Sequence, residues 1–184
     1  MVEVRDLSGV PELVELTTEL KHRARVLQRQ AEAGDPSALK RLRAQPQLRA
    51  LDDAAMVGQL KRRHCLAVLA IELGFRGWSH MTGILGGEEA EDYGTLLCPP
   101  EADAHWNIWC ASYDEASTIR GQTSGYLLAY KHHFFIVDRY FIETLGLDPG
   151  DPDWDRIGHD WARPQCPEAR GRLYARLIRQ RNAL

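Results

Sequence analysis

The chain lacks any apolar run near the ~18 residues that a membrane-spanning helix requires, so no helical span is expected. It also lacks a C-x-x-C pair: Cys65, Cys98, Cys110 and Cys166 are scattered. The first three residues lead into a charged segment rather than an apolar one, so a secretory leader is not expected. Four reduced thiols and a cytoplasmic location are the expectation. No internal repeat and no low-complexity tract interrupts the chain.

Motifs with chemical consequences are missing as well. The run Asp151-x-Asp153-x-Asp155 begins like a calcium loop, but Arg156 stands where the loop needs glycine and Ala162 where it needs a bidentate glutamate. The histidines are His22, His64, His80, His105, His132, His133 and His159, and none shares a known zinc spacing with a cysteine. Cys98, His105 and Cys110 lie nearest one another in sequence without matching a ligand pattern. No metal and no cofactor is expected. Cys98, Cys110, Ser124, His132 and Asp138 are the ingredients of nucleophilic chemistry, but no elbow or family signature gathers them.

What is present is an ordinary globular composition. The 184 residues are 44% hydrophobic and 27% charged, enough for one large domain or two small ones. The net charge of −3 hides a segregation. Residues 1–86 carry 13 Lys and Arg against 10 Asp and Glu, residues 87–168 carry 5 against 16, and residues 169–184 carry five arginines and no acid. The basic tail is expected to lie against the acidic middle.

Leu13, Leu16, Leu20, Ala24 and Leu27 recur at spacings of three and four, predicting a long helix over residues 10–33 ended by Gly34. Asp35 and Pro36 open a second helix as N-cap and N1 residue. Asp52 or Asp53 caps a third. Residues 59–73 form the clearest helix, with Gly74 ending it and Phe75 and Trp78 as core anchors. A short helix capped by Ser79 follows. Residues 88–91, Pro99 and Pro100 mark an acidic, punctuated linker. Beyond it, residues 105–110 predict a strand. Ser112 and Glu115 predict a capping box and a helix to residue 122. Residues 125–130 and 134–137 predict a hairpin around Lys131, His132 and His133. Short helices follow Gly125–Val137, and an arginine-rich helix over 167–182 turns Leu173, Leu177 and Ile178 inward. The expected fold is therefore α+β: a helical N-terminal module over 1–86, a linker over 87–100, and over 101–184 a small β-α-β-β domain with a basic C-terminal helix.

Residues 13–85 resemble a helical module found in many bacterial proteins, where it precedes ankyrin repeats or glyoxalase-like domains. The shared features are the basic long helix, the helix opened by Gly34, Asp35 and Pro36, and the segment Leu73-Gly74-Phe75-x-x-Trp78-Ser79. The resemblance implies a helical fold, a bacterial-type protein and no particular activity. No ankyrin repeat follows here.

Three function classes remain. The first is a non-enzymatic protein–protein interaction or regulatory module. A three-stranded sheet with one helix covers only one face, so part of the aromatic set would stay exposed; Trp106, Trp109, Tyr126 and Phe135 are the expected contact residues, for a protein partner or a homodimer. The second is a helix-turn-helix-like DNA-binding regulator, with Lys61, Arg62 and Arg63 near phosphates and Ser79 and His80 on the second helix. That helix has no Arg, Lys, Asn or Gln to read base edges, so nucleic acid is not the expected partner. The third is a small-molecule enzyme with its site between the halves, using His132, His133, Asp138 or Cys110.

Overall fold

The computed structural model describes Leu7 and residues 9–87, 91–100 and 106–182. The fold is α+β. Ten helices and three strands run in the order α1 (Pro11–Glu32), α2 (Pro36–Leu42), α3 (Pro46–Arg49), α4 (Asp53–Gln59), α5 (Arg62–Glu72), α6 (Trp78–Leu85), β1 (Ile108–Cys110), α7 (Tyr113–Gln122), β2 (Tyr126–Tyr130), β3 (His133–Val137), α8 (Arg139–Thr144), α9 (Pro152–Arg156) and α10 (Pro167–Asn182) among the described residues.

Helix α1 is the spine. Its apolar stripe serves two cores, because a straight 22-residue helix outruns any one of them. Leu13, Leu16 and Leu20 join Met81, Ile84, Phe135, Phe141, Trp154, Trp161, Leu173 and Leu177 in the largest cluster. Ala24, Leu27 and Ala31 join Leu39, Leu42, Leu48, Met56, Cys65 and Val68 in a second. The largest cluster therefore draws residues from both sides of position 87.

Local chemistry places the ends of the elements. Asp35 accepts a hydrogen bond from the Ala38 N–H at 2.8 Å, with Pro36 at N1. Asp52 does the same for Ala55 at 2.8 Å. The helix expected over 59–73 starts later, at Arg62. Leu60 and Lys61 are extended, and the His64 ring turns back to accept the Lys61 N–H at 3.2 Å, closing the helix start from within. A proline-initiated turn, α3, is an addition to the expected elements. The capping box at Ser112 forms: Glu115 N–H donates to Ser112 Oγ at 3.3 Å, and the Glu115 carboxylate accepts from Ala111 N–H at 3.0 Å. Replacing Ser112 by alanine is expected to lower unfolding stability by about 1 kcal/mol, measured as a shifted urea midpoint at unchanged slope.

The sheet is antiparallel, in the order β1-β3-β2. Its register aligns Trp109 with Phe135 and Leu128 across one row, and Ile108 with Ile136 and Leu127 across the next. Side chains alternate between faces, so Phe135, Val137, Tyr126 and Leu128 enter the largest cluster, while Cys110, Leu127, Ala129 and Ile136 form a third with Ala116 of α7. Both faces are thus covered. The expectation that one helix leaves a face open does not hold, because α1, α6, α8 and α10 supply the second cover. The outer edge of β2 is closed too: Leu127 N–H donates to His159 O and accepts Trp161 N–H at its carbonyl, each at 2.9 Å, in a short parallel bridge. The outer edge of β1 has no backbone partner among the described residues.

The basic tail meets acids on both sides. Arg172 and Arg176 of α10 reach Asp153 at the start of α9, and Arg179 reaches Glu15 and Glu19 of α1.

Candidate functional site

Apolar exposure is concentrated at the open edge. Trp106, just before β1, is 100% exposed, and Ile108 and Trp109, on opposite faces of the strand, are 46% and 49% exposed. Trp109 is held by its neighbours. It stacks on Phe135 with ring centroids 4.7 Å apart and planes 18° apart, and it meets Tyr130 edge-on at 5.8 Å. The Lys131 ammonium lies 5.2 Å from the Tyr130 ring centroid. The exposed half of Trp109 is therefore a fixed surface rather than a free rotor. Two grooves flank the strand. One, about 550 Å³, is bounded by Glu72, Leu73, Pro99, Trp109, Tyr130 and Arg181, where the end of α5 approaches the sheet. The other, about 490 Å³, is bounded by Trp106, Ile108, Ser124, Tyr126, Asp138 and Arg139.

Of the four expected contact residues, the structure leaves two at the surface. Trp106 and Trp109 are there. Phe135 is fully buried, and Tyr126 is 7% exposed with its hydroxyl donating to Pro149 O at 3.0 Å. Both are core residues that support the edge from behind, for the reason already given: the second face of the sheet is covered. Ile108, which sequence reasoning passed over, is the third exposed member. Its signal was the alternation of the strand, since a residue beside Trp109 on a three-residue edge strand has few neighbours to cover it.

The segment that precedes β1 is built into this site. Residues 88–90, at the start of the expected linker, and His105, at the expected start of the strand, lie outside the described residues. Residues 91–98 are bonded on both sides. Thr95 N–H donates to Gly74 O at 2.8 Å, Lys131 N–H donates to Gly94 O at 2.8 Å, and Tyr93 N–H donates to Lys131 O at 3.0 Å. Leu96 and Leu97 are buried. Gly94, at φ +74°, comes so close to Gly74 that a Cβ would lie 2.6 Å from the Gly74 carbonyl oxygen. These bonds also hold Lys131 at φ +50° in the hairpin turn, a conformation that a non-glycine residue adopts only under such constraint.

Of the residues of the DNA-binding reading, Arg62 and His80 are engaged within the fold. Lys61, Arg62 and Arg63 are exposed at the start of α5, where Arg62 donates to Gln28 at 2.8 Å. On α6, Ser79 is exposed. The His80 ring accepts the Arg76 N–H at 3.0 Å and meets Asp92 O at 2.7 Å. Asp92 places a carboxylate 3.4 Å from Arg76 at the same helix end.

The enzyme candidates hold separate posts. Asp138 caps α8, accepting from Phe141 N–H at 3.0 Å. His132 is bonded through Nδ1 to Glu91 O, and His133 is exposed at the start of β3. Cys110 lies under α7, where burial pushes its thiol pKa up. Burial likewise pushes Cys65 up to about 11, which leaves both as packing groups. Among the described residues no group of three or more His, Cys, Asp or Glu side chains converges as a metal site. No helix of the described residues is long and apolar enough to cross a membrane.

Comparison with known proteins finds no matching family model, no matching curated protein and no matching solved structure.

Proposed function

We propose that the protein is a non-catalytic interaction module that binds a protein partner at the open edge of β1. The observation that carries this reading is the exposure of Trp106, Ile108 and Trp109, the last two on opposite faces of β1, beside a strand edge with no backbone partner among the described residues. The other exposed large apolar side chains among the described residues, Tyr140, Val14 and Val26, lie on helices and none is within three residues of β1. Unpaired N–H and C=O groups on an edge recruit a further strand, and aromatic side chains at the rim supply the buried anchors that dominate binding energy. A cytoplasmic, regulatory role fits a surface of this kind.

The two alternatives find less support. Duplex DNA has less support, since Asp92 stands beside the start of α6, the helix that would enter the groove, and that helix has no Arg, Lys, Asn or Gln to read base edges. Catalysis lacks a convergent set, since Cys110, His132 and His133 lie outside both grooves and Asp138 is committed to capping α8.

The test is photo-cross-linking in the cell that makes the protein. A photoreactive phenylalanine analogue in place of Trp106 is expected to give a discrete cross-linked product. The same group in place of Lys21, exposed on α1, is expected to give none. No product from position 106, or equal yields from both positions, would remove the edge as the contact.

A further inference from the structure

We infer that the partner at the β1 edge is a second copy of this chain, joined strand to strand in antiparallel fashion about Trp109. This rests on the interaction reading above and names its occupant.

The first support is charge. Residues 106–112, Trp-Asn-Ile-Trp-Cys-Ala-Ser, contain no charged side chain and no proline. Natural edge strands carry Lys, Glu or Pro to prevent copies from meeting. Residues 106–112 carry none of these guards, inside a half that is strongly acidic elsewhere. A foreign basic partner would be drawn to the acidic surface. Two copies that meet along residues 106–112 set no like charges of that segment against one another.

The second support is geometry. An antiparallel strand pair between identical chains has a two-fold axis, so each contact is made twice. With Trp109 on the axis, Ile108 of one copy faces Cys110 of the other, and the two Trp109 side chains stand on the same face within cross-strand reach. The opposite edge, β2, is already closed by the bridge from Leu127 to Asp160, so pairing ends with one six-stranded sheet and cannot grow into a fibre.

The third is area. Aromatic side chains bury about 150–250 Å² each when fully covered. One fully exposed and one half-exposed tryptophan from each copy therefore supply on the order of 600 Å² in total. Ile108 and the backbone of the strand add to this. The sum approaches the ~1,000 Å² that marks the small end of specific interfaces. A three-residue ladder adds only a few backbone bonds, so the dimer is held by its side chains and dissociates readily.

Sedimentation of the purified chain tests this. The weight-average mass is expected to rise from 20.9 kDa toward twice that value as concentration increases from about 5 to about 500 µM, the range suited to so small an interface. Trp106→Asp and Ile108→Asp, both at exposed positions, are expected to hold the mass at the monomer value while circular dichroism stays native; Trp106→Phe is expected to keep the dimer. A mass that stays at the monomer value throughout overturns the inference. So does a dimer that both aspartate variants leave intact. The cellular cross-link separates the two levels: a product between position 106 and a different protein, with a monomeric purified chain, removes the second copy and keeps the interaction module. Neither association nor a cross-link removes both.

Discussion

Asp153→Ala is expected to destabilise the fold by about 3 kcal/mol, the lower end of what breaking a buried ion pair costs. The carboxylate is 2% exposed and accepts from three arginines: Arg172 Nε at 2.9 Å, Arg156 Nη1 at 2.8 Å and Arg176 Nη1 at 3.0 Å. Removing it takes the carboxylate partner from Arg172 and Arg156 at the junction of α9 and α10, while Arg176 keeps Asp151 at 2.6 Å. Those arginines retain 24%, 58% and 45% of their side-chain exposure, so water recovers part of the loss. The same hub fixes an acid dependence. The hydrogen bond from Arg172, with those from Arg156 and Arg176, holds the Asp153 carboxyl well below the usual range. A depressed folded value means that the unfolded chain binds the proton more readily. The stabilisation is therefore complete above the unfolded value near ~3.9 and is lost as pH falls below it. Thermal melts of the wild type and Asp153→Asn are expected to differ most at neutral pH, with the gap narrowing progressively as pH falls below about 4. A gap that persists unchanged at low pH contradicts this account of the hub.

Gly94→Ala is expected to destabilise by a similar amount, about 3 kcal/mol. Left-handed backbone costs an ordinary residue about 1–2 kcal/mol. The rest comes from the added Cβ, which meets the Gly74 carbonyl and forces apart the bonds from Thr95 N–H to Gly74 and from Lys131 N–H to Gly94, each worth about 1 kcal/mol. Gly34→Ala is the control. Gly34 has a similar φ, +79°, but open space around it, so only the backbone contribution of about 1–2 kcal/mol is expected. Urea midpoints of the two variants separate the clash from the conformation. Hydrogen exchange is expected to show lost protection at the Thr95 and Lys131 amides in Gly94→Ala alone. Equal midpoints for the two variants would mean that the 91–98 segment does not bind α5 to the hairpin as described.

A smaller acid effect accompanies these. Burial, reinforced by the nearby Arg63 and Lys61 charges, lowers the His64 pKa, and the ring must stay neutral to accept the Lys61 N–H. Its contribution is present above the unfolded value near ~6.5 and is lost as pH falls through the folded one.

The local elements were legible in the sequence because short-range chemistry makes them. Spacings of three and four in α1, the Asp-Pro start of α2, the Ser112 box and the hairpin around Lys131 all rest on residues within one or two turns of each other. What was not legible depended on distant partners. Phe135 and Tyr126 look like surface aromatics only while the sheet is imagined with α7 alone. The return of α1, α8 and α10 onto the other face is set by Leu13, Leu16, Phe141 and Leu173, far away in the chain. Residues 91–98 look like a linker by their acids and by Pro99 and Pro100 that follow, yet Leu96 and Leu97 are a buried piece inside it. The exposed edge was half visible: Trp106 and Trp109 stood out by type, Ile108 by nothing but its place in the strand.

The most direct test of the β1 edge as the contact surface is a photo-cross-linking scan in the producing cell, with the reactive side chain placed in turn at positions 21, 106, 108 and 133. Products from 106 and 108, with none from 21 on α1 or from 133 at the far end of β3, are the predicted footprint. Products from 21 or 133 in comparable yield, or none from 106 and 108, would contradict it.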